Sequence, residues 1–310
     1  MSIIEVRNAT GEEGKEKYMN DFCIISDVTL DLTQEVIDEI DVRVIPMDFH
    51  LGDTPYTHYS DERELSSDEF YKRLKAGENS VTSQINPVTY ENFFEPILAK
   101  GTDIIYIALS SGLSGTYNTS RMMAGQLSEQ YPERKIVVID SLCASIGEGL
   151  LVYLAAMQKK AGKTMEQVID YVEEYKRKCC HWFLVEDLHH LKRGGRLSSL
   201  EAVVGTALRI CPILSVDQEG KLVVAAKVRG NKKAIDYLIN RLVEDGIDTI
   251  NQTVIIGHAG CLEYAEQIAK QLTQRSLVKD YLITNIGPVI GSHTGAGMCA
   301  LTFIGENYKF

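Results

Sequence analysis

The sequence is poor in positive charge. It has 32 lysine and arginine residues against 43 aspartate and glutamate residues, which gives a formal net charge of −11. Nucleic acids and anionic membrane surfaces bind basic patches, so this balance argues against both as partners. The sequence also has no apolar run near the roughly 18 residues of a membrane span, and no basic start followed by an apolar stretch. We therefore expect no transmembrane segment and a cytoplasmic protein.

The sequence lacks the cysteine and histidine spacings of common metal sites. Its seven cysteines are scattered, odd in number and never arranged as C-x-x-C, and the pair His189-His190 has no H-x-x-x-H partner. This pattern favours a reducing compartment over a disulfide scaffold. It also predicts no bound metal. We expect most of the cysteines to be small buried side chains.

Three common motifs of enzymes and nucleotide-binding proteins are absent. The chain has no G-x-x-x-x-G-K-[ST], no G-x-G-x-x-G and no G-x-S-x-G. The first two build phosphate-binding loops, and the third positions a serine nucleophile. A binding site in this chain must therefore be built from other residues.

What is present indicates a globular α/β protein of two domains. The chain of 310 residues exceeds one typical core, and 45% of its residues are hydrophobic. Apolar runs alternate with helical patterns and predict a doubly wound, mostly parallel sheet over residues 21–178. A hairpin pattern at residues 212–228 predicts a mixed α/β domain over residues 179–310. Residues 1–20 have no lasting pattern and are predicted to be an N-terminal extension.

Three segments rich in hydroxyl side chains lie in predicted loops. They are residues 26–29, 82–84 and 110–116, and the last directly follows the apolar run 104–109. Because loops at the carboxyl edge of a doubly wound sheet approach one another, the three segments can converge on one crevice. Residues 110–116 also precede a predicted helix, whose free backbone N–H groups favour an anion. A capped turn without a ligand is an equally good interpretation of these residues alone.

Two further segments combine glycine with cationic or imidazole side chains. Lys192-Arg193-Gly194-Gly195-Arg196 places three cations before a helix predicted to start at Ser198, which suits a phosphate or a carboxylate. His293 lies in a glycine-rich loop at residues 287–297, where an imidazole can donate a hydrogen bond to a carboxylate. A solvated basic turn and a locally bonded histidine are the alternatives, and His258 has the same ambiguity.

Five motifs in this order resemble those of the DegV family, bacterial fatty-acid-binding proteins that include the binding subunits of fatty acid kinase. The motifs are Ser26-Asp27-Val28-Thr29, Thr82-Ser83-Gln84, residues 110–117, Lys192 to Arg196 and residues 287–297. Together they span nearly all of residues 22–308. The resemblance implies two α/β domains that enclose a long lipid tunnel for one acyl chain.

The resemblance also implies which residues form the site. For the fatty-acid carboxylate they are Thr82, Ser114, His293, Ser83 and Ser111, and for the phosphate or the partner they are Arg196, Lys192 and Arg193. Two positions depart from the family pattern. Val28 stands where the family has a serine, which removes a hydroxyl near the head group. Cys211 stands where many members have a lysine, which removes a charge near the domain interface.

The leading hypothesis is a carrier that binds a palmitate- or oleate-like fatty acid and presents its carboxylate to a fatty acid kinase. Such a carrier has no catalytic residue, cofactor or metal of its own. Each buried methylene contributes about 0.8 kcal/mol, and the buried carboxylate needs the donors that hydroxyls and an imidazole supply. One alternative is an enzyme, a Ser/His hydrolase or a phosphotransfer enzyme, acting on a small anion at the same loops. Another is a regulatory interaction protein whose lipid is only structural.

Overall fold

The computed structural model describes residues 21–197 and 210–306. The predicted extension at residues 1–20 and the helix predicted after Ser198 lie outside the described residues. As far as residue 178 the elements are β1 (Phe22–Asp27), α1 (Gln34–Ile40), β2 (Val42–Ile45), β3 (Met47–Leu51), β4 (Thr54–His58), α2 (Ser67–Lys75), β5 (Ser80–Thr82), α3 (Pro87–Leu98), β6 (Asp103–Ala108), α4 (Thr116–Gln130), β7 (Ile136–Asp140), α5 (Ile146–Lys160) and α6 (Met165–Tyr175). The later elements are β8 (Cys179–Leu184), α7 (His189–Arg193), β9 (Ile210–Val216), β10 (Leu222–Arg229), α8 (Asn231–Asp245), β11 (Thr253–His258), α9 (Leu262–Gln274), β12 (Asp280–Asn285), α10 (Pro288–Thr294) and β13 (Cys299–Ile304).

The first sheet has four parallel strands in the order β2-β1-β6-β7. Strands β1 and β6 are buried along their whole length, which explains their unbroken apolar sequence. Helices α3 and α4 cover one face of the sheet, and α5 and α6 cover the other. The predicted doubly wound parallel sheet is confirmed.

Strands β2 and β3 are adjacent in the chain but belong to different sheets. Pro46 separates them, and proline cannot donate a hydrogen bond to a strand ladder. Strand β3 pairs antiparallel with both β4 and β5 in a separate sheet of three strands. Residues 82–84 were predicted as loop, but Thr82 is the last residue of β5 and pairs with Phe49. This pairing fixes the position of Thr82.

The second sheet is mixed, as predicted, with the strand order β10-β9-β8-β13-β11-β12. Strands β9 and β10 form the predicted antiparallel hairpin, and β11 pairs parallel with β12. Helices α8 and α9 pack on one face, and α5 packs on the other face as well as on the first sheet. Helix α5 therefore lies between the two sheets. The predicted domain boundary at residues 178 and 179 stays a prediction, although β8 begins at Cys179.

The loop predicted around His293 is largely helical. Helix α10 spans Pro288–Thr294, with proline in its first turn, where the missing N–H costs no hydrogen bond. His293 therefore lies in the last turn of a helix. The side chain of Asp27 accepts a hydrogen bond from the backbone N–H of Thr29 and caps a short 3-10 helix. Within the described ranges, no helix combines the length and apolar character needed to cross a bilayer.

Candidate ligand-binding site

A cavity lies between the carboxyl edge of the first sheet and the face of the second sheet on which α5 packs. Its lining includes residues that follow β6 and β7, residues of β8 and β13, and residues of α10. Its empty volume is about 1040 Å³, including the space at its open mouth. The lining therefore extends from the edge of the first sheet to the face of the second.

Most of the cavity wall is apolar. The apolar lining residues are Met47, Leu109, Leu113, Ala144, Ile146, Trp182, Phe183, Leu191, Val216, Leu222, Val289, Ile290, Met298 and Ala300. Among the described lining residues, Arg196 is the only lysine, arginine, aspartate or glutamate. A wall of this composition favours a hydrocarbon chain over a polar substrate.

Thr82 and His293 meet at this cavity although 211 residues separate them in the chain. The distance from Thr82 Oγ1 to His293 Nε2 is 2.9 Å. Thr82 is held by the pairing of β5 with β3, and His293 by the packing of α10 beside these strands. Two of the predicted carboxylate-binding residues are therefore hydrogen-bond partners.

The environment of His293 favours a neutral ring. Burial, together with the nearby guanidinium of Arg196, lowers the pKa of His293 to about 4. Its Nδ1 atom is buried and has no hydrogen-bond partner among the described residues. A buried N–H without an acceptor is more costly than an unused lone pair, so we assign the ring proton to Nε2, where it is donated to Thr82. The hydroxyl hydrogen of Thr82 is then available to a ligand.

The same contacts argue against a hydrolase centred on Thr82 and His293. A general base works best with a pKa near the working pH, whereas the pKa of His293 lies near 4. A catalytic histidine is also oriented by a third group at its other nitrogen, and Nδ1 of His293 has no such partner in the described chain. The pair is suited to donating a hydrogen bond and unsuited to activating a nucleophile.

Ser114 and Gln84 bring the loop after β6 to the same part of the cavity. Ser114 Oγ lies 2.9 Å from the hydroxyl of Thr116 and accepts a hydrogen bond from the backbone N–H of that residue. A Cβ on Gly115 would lie 2.2 Å from Oε1 of Gln84, so the loop is in close contact with the end of β5. Ser83 and Gln84 line the cavity and are exposed, which places them at its mouth.

Arg196 lines the cavity beside these polar groups. Its Nε donates to the backbone carbonyl of Leu113 at 3.2 Å, and its Nη1 donates to the carbonyl of Gly194. A Cβ on Gly194 would lie 2.3 Å from Nδ1 of His293. The loop that carries Arg196 therefore packs against the imidazole ring. The guanidinium forms part of the cavity wall beside the polar lining residues.

Several predicted residues lie outside the cavity lining. Ser111 is exposed, and its backbone N–H donates to Asp140. Lys192 and Arg193 are exposed on α7, where Arg193 contacts Nδ1 of His190. Of the residues singled out in the sequence, those outside the described lining are Ser111, Lys192, Arg193, Val28, Cys211 and His258.

The two departures from the family pattern have local explanations. Val28 is buried in the apolar core beneath α3 and α4, so its substitution does not remove a hydroxyl from the cavity. The thiol of Cys211 contacts Oδ1 of Asn231 at 2.9 Å, at the first residue of α8. Neither residue lines the cavity.

The sequence did not indicate three further polar lining residues, Ser145, His181 and Thr302. Ser145 directly precedes α5, and its hydroxyl donates to Asp31 at 2.6 Å. It follows a parallel strand, so the same strand-end rule that singled out residues 110–116 could have found it. His181 lies inside β8, where no sequence signal separates it from an ordinary buried residue.

Known proteins resemble this chain over nearly its whole length. Residues 21–306 match a family model described as "Uncharacterised protein, DegV family". A DegV domain-containing protein of Clostridium perfringens is 40% identical over 288 residues, which are 93% of this chain and 99% of that protein. A solved DegV family protein of Thermus thermophilus, described as binding fatty acid, has a TM-score of 0.83 and 25% identity, covering 92% of this chain and 100% of that one. DegV of Bacillus subtilis, described as a fatty acid binding protein, has a TM-score of 0.79 and 29% identity, covering 92% and 99%.

Proposed function

The chain belongs to the DegV family, and we propose that it binds one long-chain fatty acid in the cavity between its sheets. The observation that carries the proposal is an apolar cavity whose described lining combines a cluster of neutral donors with the cation Arg196. Fatty-acid binding by DegV proteins of Thermus thermophilus and Bacillus subtilis supports it. The ligand is palmitate- or oleate-like, and the protein needs no other cofactor.

The two parts of a fatty acid fit the two parts of the cavity. Each methylene that leaves water contributes about 0.8 kcal/mol, and the apolar wall receives the chain. A desolvated carboxylate must be matched by donors. Thr82, Ser114 and Arg196 supply a hydroxyl, a second hydroxyl and a guanidinium from three separate segments. The carboxylate therefore belongs at the mouth, with the chain directed inward.

The position of the carboxylate extends the proposal to a partner. A carboxylate at the mouth is accessible to a second protein, and the exposed cations Lys192 and Arg193 lie one turn from Arg196. This arrangement suits a fatty acid kinase, which would transfer phosphate to the presented carboxylate. We place this carrier in the cytoplasm and assign it no catalytic step of its own.

Extraction of the purified protein tests the binding step. Mass spectrometry of an organic extract is expected to show about one fatty acid per chain.

We expect Ser114→Ala to bind oleate at least about tenfold more weakly, since a hydrogen bond to a charged group contributes about 1.5 to 3 kcal/mol. Ser111→Ala is the matched control, because Ser111 lies in the same loop outside the lining. A protein that is empty and takes up neither oleate nor palmitate would refute fatty-acid binding.

Arg196 tests the presentation step separately. With oleate at saturation, Arg196→Ala is expected to lower the rate of acyl-phosphate formation by the kinase about tenfold or more, because the guanidinium faces the reacting carboxylate. The exposed Arg275 supplies the control variant Arg275→Ala. Equal rates for the two variants at full occupancy would contradict a role for Arg196 in presentation and leave fatty-acid binding intact.

A further inference from the structure

Two thiols and an imidazole converge beside the cavity. The Sγ atoms of Cys143 and Cys179 and a ring nitrogen of His181 all lie within 4.8 Å of one another, and all three residues are buried. Cys143 belongs to the segment between β7 and α5, whereas Cys179 and His181 are the first and third residues of β8. The cluster thus joins a strand-end segment of the first sheet to a strand of the second.

The hydrogen bonds of His181 leave its Nε2 atom without a proton. Nδ1 lies 3.0 Å from the backbone carbonyl of Cys179, and a carbonyl only accepts, so Nδ1 carries the proton. Nε2 is then the acceptor, as its 3.4 Å contact with the backbone N–H of Ala144 requires. Metal-bound histidines are commonly fixed in this way, with the second nitrogen donating to a carbonyl.

The backbone of Gly147 packs against the ring of His181. A Cβ on Gly147 would lie 1.8 Å from Nε2, so glycine at this position allows the ring to lie so close to the first turn of α5. The thiol of Cys179 contacts the carbonyl of the same glycine at 3.4 Å. The first turn of α5 is therefore shaped around the imidazole and the thiol.

The charge of the cluster selects a divalent ion. The thiols of Cys143 and Cys179 are hydrogen-bond partners. A bound metal displaces the protons of its thiol ligands. Two thiolates and one divalent ion sum to zero charge, whereas a monovalent ion would leave a costly net charge in a buried place.

We propose that Cys143, Cys179 and His181 bind a Zn²⁺ ion. Zinc accepts thiolate and imidazole ligands in tetrahedral geometry, and three protein ligands leave one position for water. His181 also lines the cavity, which gives the ion a route of entry and the water a place. This site does not depend on the proposed fatty-acid function.

Metal titration of the reduced, full-length protein tests the proposal. We expect one Zn²⁺ per chain, and Co²⁺ is expected to give the thiolate-to-metal charge-transfer absorption of a tetrahedral site. Cys143→Ser, Cys179→Ser and His181→Gln should each weaken binding at least about tenfold. Cys180→Ser is the matched control, because Cys180 neighbours the ligands in sequence but belongs to the core on the opposite face of β8.

X-ray absorption of the zinc-loaded unaltered protein gives an answer that does not require the variants to fold. A shell of two sulfurs and one nitrogen is expected, with one oxygen completing it. An unaltered protein that binds neither Zn²⁺ nor Co²⁺ would overturn the proposal. Metal binding retained in all three ligand variants would overturn it as well.

Discussion

Thr82→Val and His293→Leu are each expected to weaken oleate binding by about 10- to 150-fold, the range that corresponds to about 1.5 to 3 kcal/mol for a hydrogen bond to a charged group. Valine removes the hydroxyl at nearly constant shape. Leucine removes the ring that we assigned as the donor to Thr82 Oγ1. Without this donor, the hydroxyl hydrogen of Thr82 is no longer directed toward the proposed ligand. Titration with a fluorescent polyene fatty acid, displaced by oleate, measures both effects.

The control for this pair is His258→Leu. His258 is also buried, and burial also lowers its pKa, but it lies outside the cavity lining. We expect the double variant Thr82→Val/His293→Leu to lose less than the product of the single losses, because the two residues act through one hydrogen bond. Single variants that bind oleate as tightly as the His258 control would refute the assigned carboxylate position.

Ala300→Phe should shorten the acyl chain that the cavity accepts. Ala300 lines the cavity on β13 opposite Phe183, in the core that α5 shares. If the added ring displaces about three methylenes at ~0.8 kcal/mol each, oleate binding weakens about 50-fold. Decanoate, which has eight carbons fewer than oleate and does not need the blocked part of the cavity, should bind with nearly unchanged affinity.

Measuring oleate and decanoate with the same variant distinguishes loss of space for the acyl chain from a loss of protein stability. Overpacking a core costs about 1 to 3 kcal/mol of stability, and this cost applies equally to oleate and decanoate. Thermal unfolding of the empty variant measures it directly. Equal losses for both ligands would contradict a chain that runs past Ala300.

The parallel sheet was predictable because its signal is local. Strands β1 and β6 are buried on both faces, so each is a continuous apolar run. The small sheet was not predictable in this way. Strand β5 has three residues, Ser80–Thr82, and it is a strand because β3 pairs with it. Nothing in these three residues alone distinguishes a strand from a loop.

The site was predictable by type of residue more than by position. The sequence placed His293 in a loop because glycine disfavours helices, whereas the proline at the start of α10 was the signal for a helix. In the loop after β6, the backbone N–H groups of Leu113 and Ser114 both bond to the carbonyl of Ser110. This turn places Ser114 on the cavity wall and leaves Ser111 exposed, a distinction that spacing alone does not give.

The contact of Gly194 with the ring of His293 has a thermodynamic consequence. The loop that carries Arg196 is in direct contact with His293, which we propose to support the carboxylate, so a shift of one changes the other. Linkage requires that such an effect be reciprocal. A protein that binds this loop would therefore distinguish the loaded from the empty form, and by the same factor would alter how tightly the fatty acid is held. Release and recognition would then be two measures of one coupling free energy.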